Sequence, residues 1–422
     1  NMAEEDIYKN KKRYERVMSE IDSWLIEPKN YKGMRGRRKY YIKNKVNLNY
    51  FYTLAKLLET KDLSYARRRR LQSVLLTTSY VLNINLKDAT RDDINEVMAF
   101  MHTVYKTVIS KQDFIKDLKC LWRMLFPELD RQGRPDETVT PYVIRHLSRK
   151  IDKSKEKLRN ERYTIEEFQK IITFFNGDPK IQAFITSIHE TFTRPQELCY
   201  LKIRDFKFFD NYGVAYVSEH GKEGCKPIQF ENLSYPYILK WYRMHPLRDD
   251  PNAFFFITTS NNHRHRQLTN NAVNNRIREA CKALGIDKSI TCYSLKRMGI
   301  TIARMNGVSD KEIISKAGWT SGKQLSTYDL GTREEALRQI LVRKGLVKAE
   351  TLEEKKFVPK QKLCGFCQIL NGHMDKLCNG CLRPLNREHI EAMEESHKKL
   401  MNNQLMSRID KLESMFKQKV ES

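Results

Sequence analysis

Apolar positions along most of this chain recur at intervals of three and four, the spacing of one face of an α-helix. Leu54, Leu57 and Leu58 form one such face. Ser64 is placed to cap a helix that runs through Arg67–Arg70 into Leu71, Val74, Leu75, Val81 and Leu82. Residues 88–93 open another, with Ile94, Val97, Met98, Phe100 and Met101 at helical spacing. Residues 145–162 are dense in charge and poor in apolar residues, the signature of a domain linker. Thr164-Ile-Glu-Glu167 is a capping box that opens the next domain.

From there helix and strand patterns mix. Helices are expected over 165–176, from Lys180 towards Glu190, over Asn271–Leu284 ended by Gly285, over 294–306 ended at Gly307, from Ser309 through Lys316, and over Thr332–Lys344. Ala215-Tyr-Val217 and Pro227-Ile-Gln-Phe230 alternate as strands around Glu219–Gly224, a β-hairpin. Asn252–Ile257 reads as a short buried strand. The expected class is therefore mainly α with a small antiparallel sheet, α+β. It divides into a basic N-terminal arm (1–45), a helical domain (46–150), a basic linker (151–163), a second domain (164–348), a cysteine-bearing module (360–385) and a C-terminal amphipathic helix (386–422).

Composition changes this picture in one respect. The 422 residues carry a net charge of +25, which suits a polyanionic partner, with nucleic acid first and a membrane surface second. No run of 18 apolar residues exists, so no transmembrane helix is expected; the partner expected is nucleic acid and not a membrane. The N-terminus lacks the basic-then-apolar order of a signal peptide, and Asn1 before Met2 reads as a leftover of an expression tag. The four consecutive arginines at 67–70 read either as a solvated face or as a row facing DNA phosphates. On the second reading Arg67, Arg68 and Arg70 contact nucleic acid.

Candidate chemistry lies in a set of short boxes. Thr193-Arg194-Pro-Gln-Glu197-Leu comes first, and Gly221-Lys222 lies at the hairpin tip. Tyr293-Ser-Leu-Lys296-Arg297, Gly318-Trp319-Thr-Ser and Thr327-Tyr328 follow. In order and spacing these resemble the active-site boxes of the tyrosine recombinase (phage integrase) family. The resemblance covers about residues 46–345 and implies a helical DNA-clamping domain followed by a catalytic domain. It also implies DNA breakage and rejoining through a 3′-phosphotyrosyl link, without metal or ATP in the chemistry. Such a reaction needs a nucleophile, cations on the non-bridging oxygens, an acid for the leaving 5′ oxygen, and a network that orients them. The resemblance assigns Tyr328 as nucleophile, Arg194 and Lys296 to the phosphate, and Lys222 as general acid, with Lys226 as its substitute. Glu197 would steady Arg194, and Tyr293 and Trp319 would complete the network. Lys226 and Arg297 also join the residues expected to bind nucleic acid.

Two positions depart from the family pattern. The His-x-x-Arg box appears as Tyr293-Ser-Leu-Lys296. Tyr293 can hydrogen-bond but is a poor base near neutral pH, its ordinary pKa being about 10. Lys296 keeps the charge without the bidentate fork that suits a phosphate.

Of nine cysteines, four form two Cys-x-x-Cys knuckles, Cys364/Cys367 and Cys378/Cys381, ten residues apart. Thiolates at this spacing make a closed tetrahedral structural zinc site. His373 is an alternative ligand. A zinc ribbon placed after the catalytic domain resembles some archaeal and archaeal-virus integrases. Leu405, Ile409, Leu412 and Phe416 mark the C-terminal helix.

The reading expected from the whole is a site-specific recombinase of a mobile element or virus. It would act on double-stranded DNA as a homo-tetramer spanning two duplexes, in the cytoplasm with the nucleoid or viral DNA. A DNA-binding or architectural protein on the same fold, weak or inactive in chemistry, is the alternative. A nicking enzyme like the type IB topoisomerases is a third possibility.

Overall fold

The computed structural model describes residues 8–27, 40–151, 160–217, 225–260, 264–351, 354–386, 391, 395–396, 398–409 and 411. Lys222, and the Leu412 and Phe416 positions of the last helix, lie outside the described residues.

Two separate cores organise the chain. The first is helical: α1 (Asn10–Ser19), α2 (Leu48–Thr60), α3 (Tyr65–Val81), α4 (Arg91–Val104), α5 (Val108–Leu125) and the short α6 (Tyr142–Arg145). Start signals behave as local chemistry requires. Ser64 Oγ accepts from the Arg67 amide, and Thr90 and Asp93 form a reciprocal capping box. Phe51, Leu54 and Leu58 of α2 pack with Leu71, Val74 and Leu75 of α3 and with Phe114, Leu118 and Trp122 of α5. A two-stranded ribbon, β1 (Glu128–Leu129) and β2 (Pro135–Asp136), follows α5.

The basic N-terminal arm expected over 1–45 is, in its described residues, part of the helical domain. Residues 10–19 are helical and pack along α3, and Ile21, Trp24 and Ile42 are buried in the helical core. Three well-spaced apolar side chains suffice to dock this segment, although its mean composition is polar.

The second core is built around α8 (Pro179–Thr191), which packs on α10 (Tyr235–Met244) and α12 (Cys292–Met305). It begins at the end of the linker. Tyr163 is fully buried, and its hydroxyl meets His189 Nδ1 at 2.9 Å. Helix α7 (Ile165–Phe174) starts with the expected Thr164/Glu167 box. Helices α9 (Pro195–Tyr200), α11 (Asn270–Ala283), α13 (Asp310–Ala317), α14 (Leu325–Tyr328) and α15 (Arg333–Arg343) complete this domain. Helices α8 and α12 approach at Gly299, where an added Cβ would lie 2.0 Å from the His189 carbonyl oxygen. No side chain fits at that crossing.

Three antiparallel strands, β3 (Phe206–Phe208), β4 (Gly213–Val217) and β5 (Lys226–Phe230), cover one side. The register sets Ala215 opposite both Phe206 and Ile228, so the inward face alternates as a half-buried sheet requires. The expected strand at Asn252–Ile257 is instead irregular, with single bridges at Phe254 and Ile257. Phe255, Phe256 and Ile257 are all buried in succession, and a regular strand would turn alternate ones outward.

A last ribbon, β6 (Lys362–Leu363) and β7 (Leu370–Asn371), carries the cysteines and sits on α10. Leu370 joins the second core, and Gly372 lies so close to Tyr237 that an added Cβ would meet its ring at 2.4 Å. No helix among the described residues is long and apolar enough to cross a membrane.

Candidate active site and metal centre

Arg194 sits immediately before α9, where Pro195 starts the helix and Glu197 folds back to accept from the Arg194 amide at 3.3 Å. The Glu197 carboxylate then serves two cations. Arg194 Nη1 lies 3.6 Å from one of its oxygens, and Lys226 Nζ lies 3.1 Å from the other. Arg194 is 4% exposed and Lys226 6%. Lys226 stands at the start of β5 and also donates to the Ala317 carbonyl at 3.0 Å. That bond ties the sheet to the end of α13. There Gly318 takes a left-handed φ of 71°, and a Cβ would lie 2.5 Å from Lys226 Cδ. The glycine of the Gly318-Trp319 box thus serves both the turn and the lysine's passage.

Beyond that turn Trp319 packs with Phe192, Ile300 and Ile313 in a small third cluster. Its ring lies 5.1 Å from the ring of Tyr328 at the end of α14. Its buried indole N–H has no partner among the described residues. Lys296, fully buried on α12, places Nζ 5.3 Å from the Trp319 ring and 4.9 Å from the Tyr328 ring. Tyr293, one turn earlier, donates to Gln196 Oε1 at 3.0 Å. Burial first, and then the nearby Tyr328, raises its pKa, while Arg194 opposes the shift. Tyr293 therefore stays protonated near neutral pH and acts here as a hydrogen-bonding group.

Five of the six residues expected to be catalytic are thus brought together in one cluster: Arg194, Tyr293, Lys296, Trp319 and Tyr328. Lys226, expected as the substitute acid and as a nucleic-acid contact, joins them at a buried position inside the cluster. Arg297 also differs from expectation. It pairs with Glu161, whose other oxygen accepts from Ser294 Oγ at 3.0 Å, and it lies 6.0 Å from the Tyr328 ring. Arg297 locks the end of the linker to α12 through its i+1 direction, while Lys296 points into the pocket.

The arginine run on α3 is likewise drawn inward. Arg67 and Arg70 converge on the buried Asp117 of α5, Arg70 Nη2 at 2.6 Å. Arg68 is buried, donates to the Leu63 carbonyl at 2.7 Å and stacks over the Tyr65 ring. The expected phosphate contact by Arg68 is excluded by this burial, since its guanidinium fills the helical domain's own interior. Sequence reading also missed Gln196 and Glu161. The first lies within the Arg194 box, and the second carries no local signal.

The four cysteine sulfurs lie within 4.8 Å of one another, with Cys364–Cys381 at 3.6 Å and Cys367–Cys378 at 3.4 Å. Four thiolates around a tetrahedral zinc at about 2.3 Å sit roughly 3.8 Å apart, so the donor set and spacing fit one ion. His373 is not part of the group. Its ring packs against Phe357, and burial pulls its pKa down to about 4.

Comparison with known proteins agrees with this geometry. The phage integrase family matches residues 161–334, the span that holds every pocket residue named above. No curated protein matches the sequence of the chain. Among solved structures, a lambda integrase tetramer bound to a Holliday junction is 18% identical (TM-score 0.51; 67% of this chain, 76% of that one). XerH recombinase in a post-cleavage complex with a palindromic difH substrate is 12% identical (0.52; 82% and 98%). The Tn1549 transposon integrase with transposon right-end DNA is 14% identical (0.51; 70% and 98%). The chain carries a phage integrase family domain on the tyrosine recombinase fold.

Proposed function

We propose that this protein is a site-specific DNA recombinase that cleaves and rejoins double-stranded DNA through Tyr328. The observation that carries the reading is the tilted contact of Tyr328 with Trp319, ring centres 5.1 Å apart, with the Lys296 ammonium 4.9 Å from the Tyr328 ring and Arg194 in the same cluster. A phosphate entering there meets cations that are themselves buried, and each contact is worth more than at an open surface. Arg194 and Lys296 hold the non-bridging oxygens as charge builds, and Trp319 offers its indole N–H. Tyr328 attacks phosphorus and forms the 3′-phosphotyrosyl bond while the 5′ oxygen departs with a proton. Lys222 is the proposed donor of that proton, with Lys226 steadying Arg194 through Glu197. The reverse attack by a 5′ hydroxyl releases Tyr328.

Cys364, Cys367, Cys378 and Cys381 would hold one structural zinc, which ties the ribbon together and supplies no step of the reaction. A homo-tetramer on two duplexes is the expected working assembly, and the lambda integrase match is itself a tetramer on a junction. The reading extends to an integrase of a mobile element, associated with cellular or viral DNA.

A second reading is a DNA-binding protein that has lost its chemistry. One observation favours it: Tyr293 stands where the family pattern has histidine, and burial raises its pKa, so it stays protonated near neutral pH and offers no base there. Covalent trapping separates the two. Wild type and Tyr328→Phe are incubated with nicked DNA from the element that encodes the protein. A denaturation-resistant, protease-sensitive adduct in wild type alone supports the recombinase. Tight specific binding without an adduct at any pH from about 6 to about 9, the span in which general bases titrate, supports the second reading.

A further inference from the structure

Phosphate chemistry in this cluster meets one geometric difficulty. A non-bridging phosphate oxygen accepts hydrogen bonds and donates none, whereas the single proton of Tyr293 is already given to Gln196 Oε1 at 3.0 Å. A histidine would carry its donor on a fixed ring nitrogen. A hydroxyl proton swings about the C–O bond, and the group on the other side of the oxygen decides where it points. In this chain that neighbour is Gln196.

Gln196 is held by the turn that builds the rest of the site. Pro195 starts α9, Gln196 follows, and Glu197 closes the turn back on the Arg194 amide. Successive side chains on a helix diverge by about 100°. Glu197 therefore serves Arg194 and Lys226, while Gln196 reaches across to α12. The two helices share a backing: Leu198 and Cys199 of α9 lie with Cys292 and Leu295 of α12 in the second core. Tyr293 stands one turn before Lys296, whose ammonium is 4.9 Å from the Tyr328 ring. Arg194, Glu197 and Lys296 are buried, but Gln196 and Tyr293 each keep part of their surface in solvent, where a phosphodiester can reach them. A carboxamide can reverse its polarity in place. Turned by about 180° at its last bond, it presents Nε2 where Oε1 stood, a donor in the position of an acceptor.

We propose that Gln196 is a positioning residue for DNA cleavage: when a phosphodiester enters, its carboxamide turns over, donates Nε2–H to the Tyr293 oxygen and sets the Tyr293 O–H on a non-bridging phosphate oxygen. No proton changes owner in this step, and no bond to phosphorus forms. The inference rests on the DNA-cleaving reading of the site. Hydrogen bonds in such a chain polarise one another, so the Tyr293 donor is strengthened as well as aimed. Gln196 and Tyr293 together do what a fixed N–H would do alone.

The test is a double-mutant cycle on the full chain, read in the rate of adduct formation at saturating nicked DNA from the element that encodes the protein. Gln196→Met keeps the length of the side chain and removes the amide. It should slow the adduct about tenfold, the worth of one neutral hydrogen bond made in the transition state. Tyr293→Phe should slow it by at least as much. The double variant should match Tyr293→Phe alone within about twofold, because Gln196 acts only through the Tyr293 hydroxyl. Gln196→His, which keeps a donor and an acceptor, should restore most of the rate. Duplex affinity, measured on the Tyr328→Phe forms by fluorescence anisotropy, should stay within about twofold, since many backbone contacts set it. Losses that multiply in the double variant would overturn the relay, and so would an unchanged rate in Gln196→Met; both leave the recombinase reading standing. Absence of an adduct from wild type itself would overturn that reading and the relay with it.

Discussion

Two basic regions of this protein use their charge in opposite ways. On α3, four arginines are contiguous in sequence and range from the buried Arg68 to Arg70, whose side chain is 48% exposed. All four serve the helical domain itself, two on Asp117, one on the Asn10 side chain, and one on a carbonyl and a tyrosine ring. In the pocket, Arg194, Lys226 and Lys296 are scattered singly over a hundred positions, yet they lie together and nearly out of water. The lesson is that a run of like charge reports a helix face, whereas a cluster of buried cations reports a site. Burying cations is costly, and folds keep them where an anion or a buried carboxylate repays the desolvation.

Replacing one arginine from each region gives the sharpest contrast. Arg194→Gln should cut the rate of adduct formation by about two orders of magnitude or more, as loss of a preorganised phosphate contact does. Arg70→Gln should leave that rate within about twofold and cost at most about 1 kcal/mol of stability, as exposed pairs do. Equal effects in the trapping assay would erase the distinction drawn here.

Metal removal should be the next largest effect. Because β7 contributes Leu370 to the catalytic core, losing zinc should loosen that domain as well as the ribbon. One zinc per chain is expected by elemental analysis, and Cys378→Ser should lose it and lower the melting temperature. Metal loss with unchanged melting of the catalytic domain would show the ribbon to be an independent module.

The Asp117 latch comes third. Asp117→Asn leaves Arg67 and Arg70 without their buried counter-charge and should destabilise the helical domain by about 3 kcal/mol. Denaturant melts of wild type and variant measure this. A neutral result would return the α3 arginines to the role of a DNA-facing row.

The smallest effect concerns pH. His189 is fully buried against Phe168 and Tyr163, and burial holds its pKa down at about 3, against 6.5 when exposed. The unfolded chain binds this proton before the folded one does, so stability falls as pH drops below about 6.5 and levels off near 3. His189→Gln should flatten that slope in melts across the same range, whatever it does to stability at neutral pH.

Local signals in the chain were legible wherever chemistry within four residues decides. The capping boxes at Thr90 and Thr164, the cap at Ser64 and the hairpin strands 215–217 and 227–230 all appear as expected. The knuckles were legible for the same reason, since two thiolates three residues apart can reach one ion. What was not legible depends on contacts across the chain. Trp24 and Ile42 give no periodic pattern, yet they dock the N-terminal segment on the helical core. Lys226 read as a substitute acid and a nucleic-acid contact, and nothing near it in sequence showed that Glu197 and the Ala317 carbonyl enclose it. The Phe254–Ile257 run looked like a strand because hydrophobicity alone cannot tell consecutive burial from alternation.

The sequence by itself determined that this is a largely helical, strongly basic protein with the ordered boxes of a recombinase and a four-cysteine tail. Those properties rest on neighbouring residues and on the order of motifs, both of which survive without a fold. Tertiary structure alone decided which cations are buried, that Arg67 and Arg70 latch α3 to α5, and that Arg297 belongs to Glu161. Each of these depends on which distant side chain removes water from a charge, and only the packed chain sets that.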